Sequence, residues 1–391
     1  MREPLIPDTP QRKGPLAGIR VVELGGIGPV PFCSMMLADL GANVLRLERI
    51  EASDSGVAMA PKFNLLNRSR PSLAIDLKKP GADAAVLALA SKADALLEGF
   101  RPGVAERLGV GPEQCLAANP RLVYGRLTGW GQDGPLAHEP GHDINYIAVS
   151  GALHSIGVRG GAPVPPLNLV GDFGGGAMYL ALGVVCALLE SKSSGQGQVV
   201  DAAMIDGAAS LMTLMYGMHA AGVWTNERGT NRLDSGAPWY NVYETKDGRH
   251  ISIGANEPRF YRNLLACLGL EGEALPPQQD RQSWPAMQAR FSEIFKSRTR
   301  DEWTQLLQDK ETCFAPVLSM DEAPTHPQNI ARKNFVTSDG IVQPAAAPRF
   351  SRTPGQISPV AAADQKAEDA LQAWGIAAQD VASWRDAGII R

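Results

Sequence analysis

Apolar positions in the first third of the chain fall alternately into short continuous runs and into helical spacing. Gly18 to Leu24 (GIRVVEL) and Ala42 to Leu47 (ANVLRL) are apolar runs of strand length. Between them, after the turn GGIGPVP, Phe32 to Leu40 reads as an apolar helix. This is a βαβ unit, whose strands lie parallel and whose crossover is right-handed. Further strands are predicted at Ser72 to Leu77, Ala95 to Glu98 and Leu122 to Leu127, with a helix over Ala82 to Lys92. Strands alternating with helices predict an α/β fold on a parallel sheet.

A long apolar helix is predicted from about Asp172 to Glu190, between PPLNLVGD and the turn SKSSGQGQ, and VVDAAM then resumes as strand or helix start. Asp206 to Val223 is apolar with a helical period, after which the composition changes to WTNERGTNRLDSGAPWY, so a domain boundary is placed near Trp224. Tyr240 to Tyr243 and His250 to Ile253 flank Lys246-Asp247-Gly248, a hairpin signal for a second domain with antiparallel strands. Amphipathic helices follow at about Glu257 to Leu268 and Ser283 to Lys296, and a third starts near Arg300. Past His326 the chain turns Pro- and Ala-rich, with PAAAPRFSRTP read as an extended return to the first domain. The segment after Thr353 is read as a surface helix and tail.

Composition narrows the class. With 391 residues, 44% hydrophobic and 20% charged, the chain has ample core for two or three domains. Its longest apolar run, Ala177 to Leu189, is broken by Gly183 and is shorter than a membrane span, so no bilayer crossing is expected. MREPLIPDTPQRKGPL carries prolines and charges where a signal peptide has an apolar stretch, and a cytoplasmic location is expected. The cysteines, Cys33, Cys115, Cys186, Cys267 and Cys313, lie far apart in sequence with no C-x-x-C pair, which indicates neither a zinc site nor a disulfide framework. A net charge of -4 argues against nucleic acid as a partner. From Arg46 to Lys79, however, seven basic residues face four acidic ones, Asp54 among them, a local +3 that suits a small phosphorylated ligand.

Gly26-Ile27-Gly28 after a strand, with Glu48 closing the next strand, imitates a dinucleotide fingerprint. It fails at its third position, where Pro31 replaces the last glycine, and Pro29 and Pro31 remove N–H donors that a pyrophosphate needs. His142, in EPGHDINYIAVSG, has a carboxylate and an aromatic as neighbours, against the bland reading of a structural histidine. Asp172, in GDFGGG, reads first as a helix N-cap. Three glycines in the next turn weaken a helix by about 1 kcal/mol each relative to alanine, which makes sense where a bulky ligand approaches the backbone. A carboxylate beside free amides at a positive helix end can move a proton and hold an oxyanion. Glu257, in GANEPRFY, is by default a capping acid, and Arg101 and Arg107 by default exposed ion-pair partners.

Taken together, PLAGIRVVELGGIGP, ADLGANVLRLER, LLNRSRPSLAIDLK, EGFRPGV, GHDINYIAVSG, PPLNLVGDFGGG, SGQGQVVDAAM, LDSGAPWYNVYET and GANEPRFY resemble the family III CoA-transferase superfamily, over Pro15 to about Thr353. GHDINY followed by GANEPRFY is similar to its α-methylacyl-CoA racemase branch, whereas the transferases have a tyrosine in place of that histidine. The resemblance implies a Rossmann-like large domain with a parallel sheet, plus a smaller α+β domain, in an interlocked homodimer with active sites shared between subunits. Residues 1–205 would form the CoA-binding large domain, 206–229 a linker helix, 230–325 the small domain, and 326–391 the return segment and tail.

It further implies that the enzyme interconverts (R)- and (S)-2-methylacyl-CoA thioesters by 1,1-proton transfer through an enolate. His142 and Asp172 match the acid–base pair, and Glu257 the glutamate partnering the histidine. Arg49, Arg68, Lys78, Arg101 and Arg107 match or neighbour basic positions around the CoA phosphates. No metal is implied, nor any cofactor, since coenzyme A is part of the substrate. The alternative is a CoA transferase with Asp172 as covalent nucleophile, in which a second base such as His142 has no duty. A non-catalytic acyl-CoA binder on the same fold fits poorly with the presence of all three polar groups.

Overall fold

The structure, a computed structural model, describes residues 13–51, 59–361 and 367–391. The polar leader read at the start of the chain, up to Gln11 and Arg12, and Asp54 of the basic stretch lie outside the described residues. The chain divides into two compact units: residues 1–150, 167–211 and 330–391 form one, and 151–166 and 212–329 the other.

The first unit runs β1 (Arg20–Leu24), α1 (Pro29–Asp39), β2 (Asn43–Arg49), β3 (Ser72–Ile75), α2 (Ala82–Ala90), β4 (Ala95–Glu98), α3 (Val104–Arg107), α4 (Pro112–Ala118), β5 (Val123–Thr128) and α5 (Asp143–Val149). After α6 (Ala152–Ser155), which belongs to the second unit, come a π-helical segment (Leu169–Ala177), α7 (Met178–Ser194), β6 (Val199–Ala203) and α8 (Met204–Leu211). The six strands form one parallel sheet in the order β3-β2-β1-β4-β5-β6.

Alternate residues of each strand feed opposite cores, as the two-residue pleat requires. Val22, Leu24, Leu45, Leu96 and Tyr124 pack with α2 and α4, whereas Val21, Val44, Leu97, Val123 and Leu127 pack with α1 and α7. Burial on both faces is why these strands read as nearly continuous apolar runs. Gly125 of β5 sets the seat of α7. A Cβ there would fall 2.7 Å from a Leu97 methyl, 3.0 Å from one of Leu180 and 3.2 Å from one of Val184, so a side chain at this position would make these core residues shift.

By length and hydropathy, Leu169–Ser194 is apolar enough to cross a membrane. Its Leu180, Val184 and Ala187 are instead core residues over the sheet, as in the central helix of a globular domain. Met178, Leu182, Val185 and Leu189, which fall on one face of α7 at helical spacing, are exposed within the chain.

The second unit contains α9 (Thr213–Ala220), β7 (Tyr240–Glu244), β8 (His250–Gly254), α10 (Pro258–Cys267), α11 (Trp284–Phe295), α12 (Arg300–Leu307) and β9 (Phe314–Pro316). β7, β8 and β9 make an antiparallel sheet over an aromatic core of Trp239, Tyr243, Phe291, Phe295 and Trp303. Residues 151–166, assigned by sequence to the first domain, fold with this unit. His154 Nε2 lies 3.0 Å from the Asn226 carbonyl, and Arg228 donates to the Gly161 carbonyl at 3.1 Å.

The chain then passes through α13 (Pro327–Arg332) to the hairpin β10 (Phe335–Ser338) and β11 (Ile341–Pro344), and ends in α14 (Ala367–Ala373) and α15 (Ala378–Asp386). The expectation of a mere surface tail fails here. Leu371, Trp374, Ile389 and Ile390 belong to the core of the first unit, and Ile390 bridges Ile75 on the otherwise open edge of β3.

Candidate active site

In an open parallel sheet of this order, the chain leaves neighbouring strands β1 and β4 in opposite directions, and the crevice beyond their C-terminal ends is the natural ligand position. β1 ends at Leu24 and turns through Gly28, at φ 72°, into α1. A Cβ on Gly28 would stand 3.4 Å from Asp172 Oδ2, so the Asp172 carboxyl lies over this turn. Phe173 stacks on Phe32 of α1 with ring centroids 4.5 Å apart.

Asp172 is the fourth residue of the π-helical segment, whose N-cap is Asn168, and is not itself a cap. The glycines that follow it have a packing cause. A Cβ on Gly175 would fall 2.6 Å from the Ala208 amide nitrogen, and one on Gly207 only 1.8 Å from the Gly175 carbonyl oxygen, so the π-segment and α8 meet backbone to backbone. The sequence reading of these glycines as room for a ligand is corrected accordingly. So is that of free amides beside Asp172: the Gly171 and Asp172 N–H groups donate to Asp143 Oδ2 at 2.6 and 2.7 Å.

Partial burial raises the Asp172 carboxyl above the ordinary aspartate range; a hydrogen bond from Asn168 Nδ2, at 3.1 Å, opposes this, the Asp143 charge adds to it, and His142 opposes it. His142 and Asp172 are therefore within electrostatic reach of one another. His142 is the exposed N-cap residue of α5, and its backbone N–H donates to Asn145 Oδ1 at 3.0 Å. Tyr146, one turn into α5, is packed edge-on against Trp130. Its hydroxyl is pushed up to about 12, first by burial and then by the Asp172 charge, with Arg101 opposing.

Arg101 follows β4, Arg107 closes α3, Arg49 ends β2 and Lys78 follows β3. All four are exposed, with no ion pair to another described residue. The segment carrying Arg101 and Arg107 is braced from below by Glu98. This carboxylate, fully buried at the end of β4, accepts from the Phe100 amide at 2.7 Å and from Arg126 Nε at 3.0 Å, and Arg126 also pairs with Glu106. Burial pushes Glu98 up to about 7 against the pull of these donors.

Arg68 must be removed from the phosphate-binding set. It is 4% exposed, and its guanidinium is engaged by Asp39 Oδ2 at 2.6 Å, Gln343 Oε1 at 2.8 Å and the Pro344 carbonyl at 2.8 Å, so it fastens the return segment to α1. Glu257 is the exposed N-cap residue of α10 in the second unit, and its charge raises the Cys313 thiol, though less than burial does. Two clefts in that unit, of about 340 and 510 Å³, are lined by Arg159 with Thr230 and Trp284, and by Arg159 with Tyr243 and Gln288; no predicted site residue lines them. The sequence reading missed Asp143 and Asn168, whose roles depend on the π-helical geometry. An acid in the first turn of α5 was the available signal for Asp143.

Residues 16–363 match the family described as CoA-transferase family III. The chain belongs to CoA-transferase family III. It is 45% identical to alpha-methylacyl-CoA racemase of Mus musculus and 43% identical to that of Homo sapiens, over 87% of this chain and 87% of the relative in each case. A solved structure of a CAIB/BAIF family protein from Brucella suis superposes with a TM-score of 0.80, covering 93% of this chain and all of that one; its 23% identity speaks for the fold.

Proposed function

We propose that the protein is an isomerase that epimerises 2-methylacyl-CoA thioesters by moving the proton on the carbon next to the thioester. The observation that carries this reading is the pairing of His142 with a carboxyl, Asp172, whose burial keeps it closer to neutrality in its proton affinity than an ordinary aspartate. In this scheme neutral His142 takes the α-proton from one epimer to give a planar enolate, and protonated Asp172 returns a proton on the opposite face. The other epimer runs the same steps in reverse. Because the Gly171 and Asp172 amides are committed to Asp143, the enolate oxygen draws its stabilisation from other donors. Arg49, Lys78, Arg101 and Arg107 would meet the CoA phosphates at the sheet's carboxyl edge.

We also read the molecule as a homodimer in which a second copy covers the exposed stripe of Met178, Leu182, Val185 and Leu189 on α7, and in which Glu257 of one subunit holds His142 of the other. The family name keeps one rival in play, a CoA transferase with Asp172 as nucleophile. The presence of His142 weighs against it, since a second base has no duty in that scheme. The test is loss of optical activity from one pure 2-methylacyl-CoA epimer with no acceptor acid present. His142→Ala and Asp172→Ala should each slow it by at least about 100-fold. CoA moving to an added carboxylate without epimerisation would replace this reading by the transferase.

A further inference from the structure

We propose that Asp143 is a positioning residue for the Asp172 carboxyl: from the first turn of α5 it clamps the two consecutive amides of Gly171 and Asp172 and so fixes where the π-helical turn presents that carboxyl. The proposal rests on the reading of Asp172 as a proton-transfer group. Its geometry is complete within the first unit. Asp143 is 5% exposed, and one oxygen, Oδ2, accepts both N–H groups at 2.6 and 2.7 Å. Bonds of amides to an ionised carboxylate are about twice as strong as neutral ones. Amides at a helix start have no partner within the helix, so these two need an outside acceptor. Gly171 admits it: a Cβ there would lie 2.6 Å from the same oxygen.

The other oxygen, Oδ1, is buried and has no hydrogen-bond partner among the described residues, so these do not spread the carboxylate's charge over further donors. That charge acts on the neighbouring acid and raises it. The ionisable groups on the elements packed against the π-segment include His142, Asp143 and Tyr146 at α5, Arg126 on β5, Asp201 on β6 and Asp206 on α8. Of these, His142 and Asp143 act on Asp172, while α1 presents Phe32 to Phe173. Asp143 thus does two things from one position, setting the direction of the carboxyl through its hydrogen bonds and its proton affinity through its charge.

The two roles separate by substitution. Asp143→Asn keeps an oxygen acceptor for the amides and removes the charge; Asp143→Ala removes both. Each purified protein is assayed for epimerisation across pH, with thermal melts to verify folding and Asp172→Ala alongside. Asp143→Ala should lose at least about 100-fold in kcat with KM within about threefold, as expected when an interaction serving the transition state is lost. Asp143→Asn should keep kcat within about tenfold while the limb of its pH–rate bell set by Asp172 moves to lower pH, because a negative neighbour that raised that carboxyl's proton affinity is gone. An unmoved bell in Asp143→Asn, or kcat of folded Asp143→Ala within threefold of the parent, overturns the proposal. If Asp143→Ala fails to fold, the bell of Asp143→Asn decides. Full activity of Asp172→Ala would instead remove the reading of Asp172 on which the proposal rests.

Discussion

Asn168 donates its side-chain amide to Asp172 Oδ2 at 3.1 Å, and that same oxygen is the one facing Gly28. The cap residue of the π-helical segment is thus also a hydrogen-bond donor to the acid one turn on. A donor favours the ionised form, so Asn168 holds the carboxyl's proton affinity down while burial and Asp143 push it up. Asn168→Ala should therefore move the pH–rate bell to higher pH, opposite in sign to Asp143→Asn. A full pH profile of kcat for the variant checks this, and a shift to lower pH would contradict it.

Glu98 makes a prediction about stability. Its folded value of about 7 lies above the ordinary 4.5 because of burial, so its contribution to stability is full below about 4.5 and is lost as pH rises through about 7. Glu98→Gln has nothing to ionise and keeps an oxygen acceptor for one of the two donors, Phe100 N–H or Arg126. Between about pH 4.5 and 7 the melting temperature of the parent should fall relative to that of the variant, with no further divergence above that range. Parallel curves would show that this carboxyl does not titrate in that window.

The exposed arginines at the sheet edge should act on binding alone. Arg107→Glu or Arg49→Glu is expected to raise KM for acyl-CoA about tenfold or more with kcat nearly unchanged, since phosphate contacts made equally in ground and transition states are uniform binding. Steady-state kinetics decide it; a fall in kcat at constant KM would assign these residues another duty. Arg68→Ala should behave differently, lowering the melting temperature, because it leaves Asp39 buried without its partner.

A shared site makes a prediction for mixed dimers. Coexpression of Asp172→Ala with Glu257→Ala chains should yield heterodimers with one intact and one doubly damaged site, recovering up to about half the parent activity per dimer. Verified heterodimers no more active than either mutant homodimer would contradict the arrangement.

What the sequence made legible follows from how local each cause is. β1 to β5 of the parallel sheet were readable close to their observed bounds because their runs are apolar and largely buried, whereas β6, half exposed, was left open between strand and helix start. The hairpin of β7 and β8 was readable from its turn. The π-helical segment was not, because its glycines answer to α8, which follows only after α7 and β6. Arg68 was misread for the same reason, its partners lying at Asp39 and Gln343. Residues 151–166 carry no apolar period, and only their hydrogen bonds to the 226–228 loop disclose where they belong. Ile389 and Ile390 gave no strand signal of their own; they are held by pairing with β3 and the turn that follows it.

Proton transfer by His142 on one face and Asp172 on the other leaves an isotopic signature in heavy water. One pure 2-methylacyl-CoA epimer is incubated without acceptor acid, and the α-deuterium content of substrate and product is followed from the first turnovers. Newly formed epimer should carry one deuterium while remaining substrate stays largely protiated, and each of His142→Ala and Asp172→Ala should exchange only one of the two epimers without interconverting them. Product that retains the original proton, or variants that still interconvert the epimers at the parent rate, would contradict it.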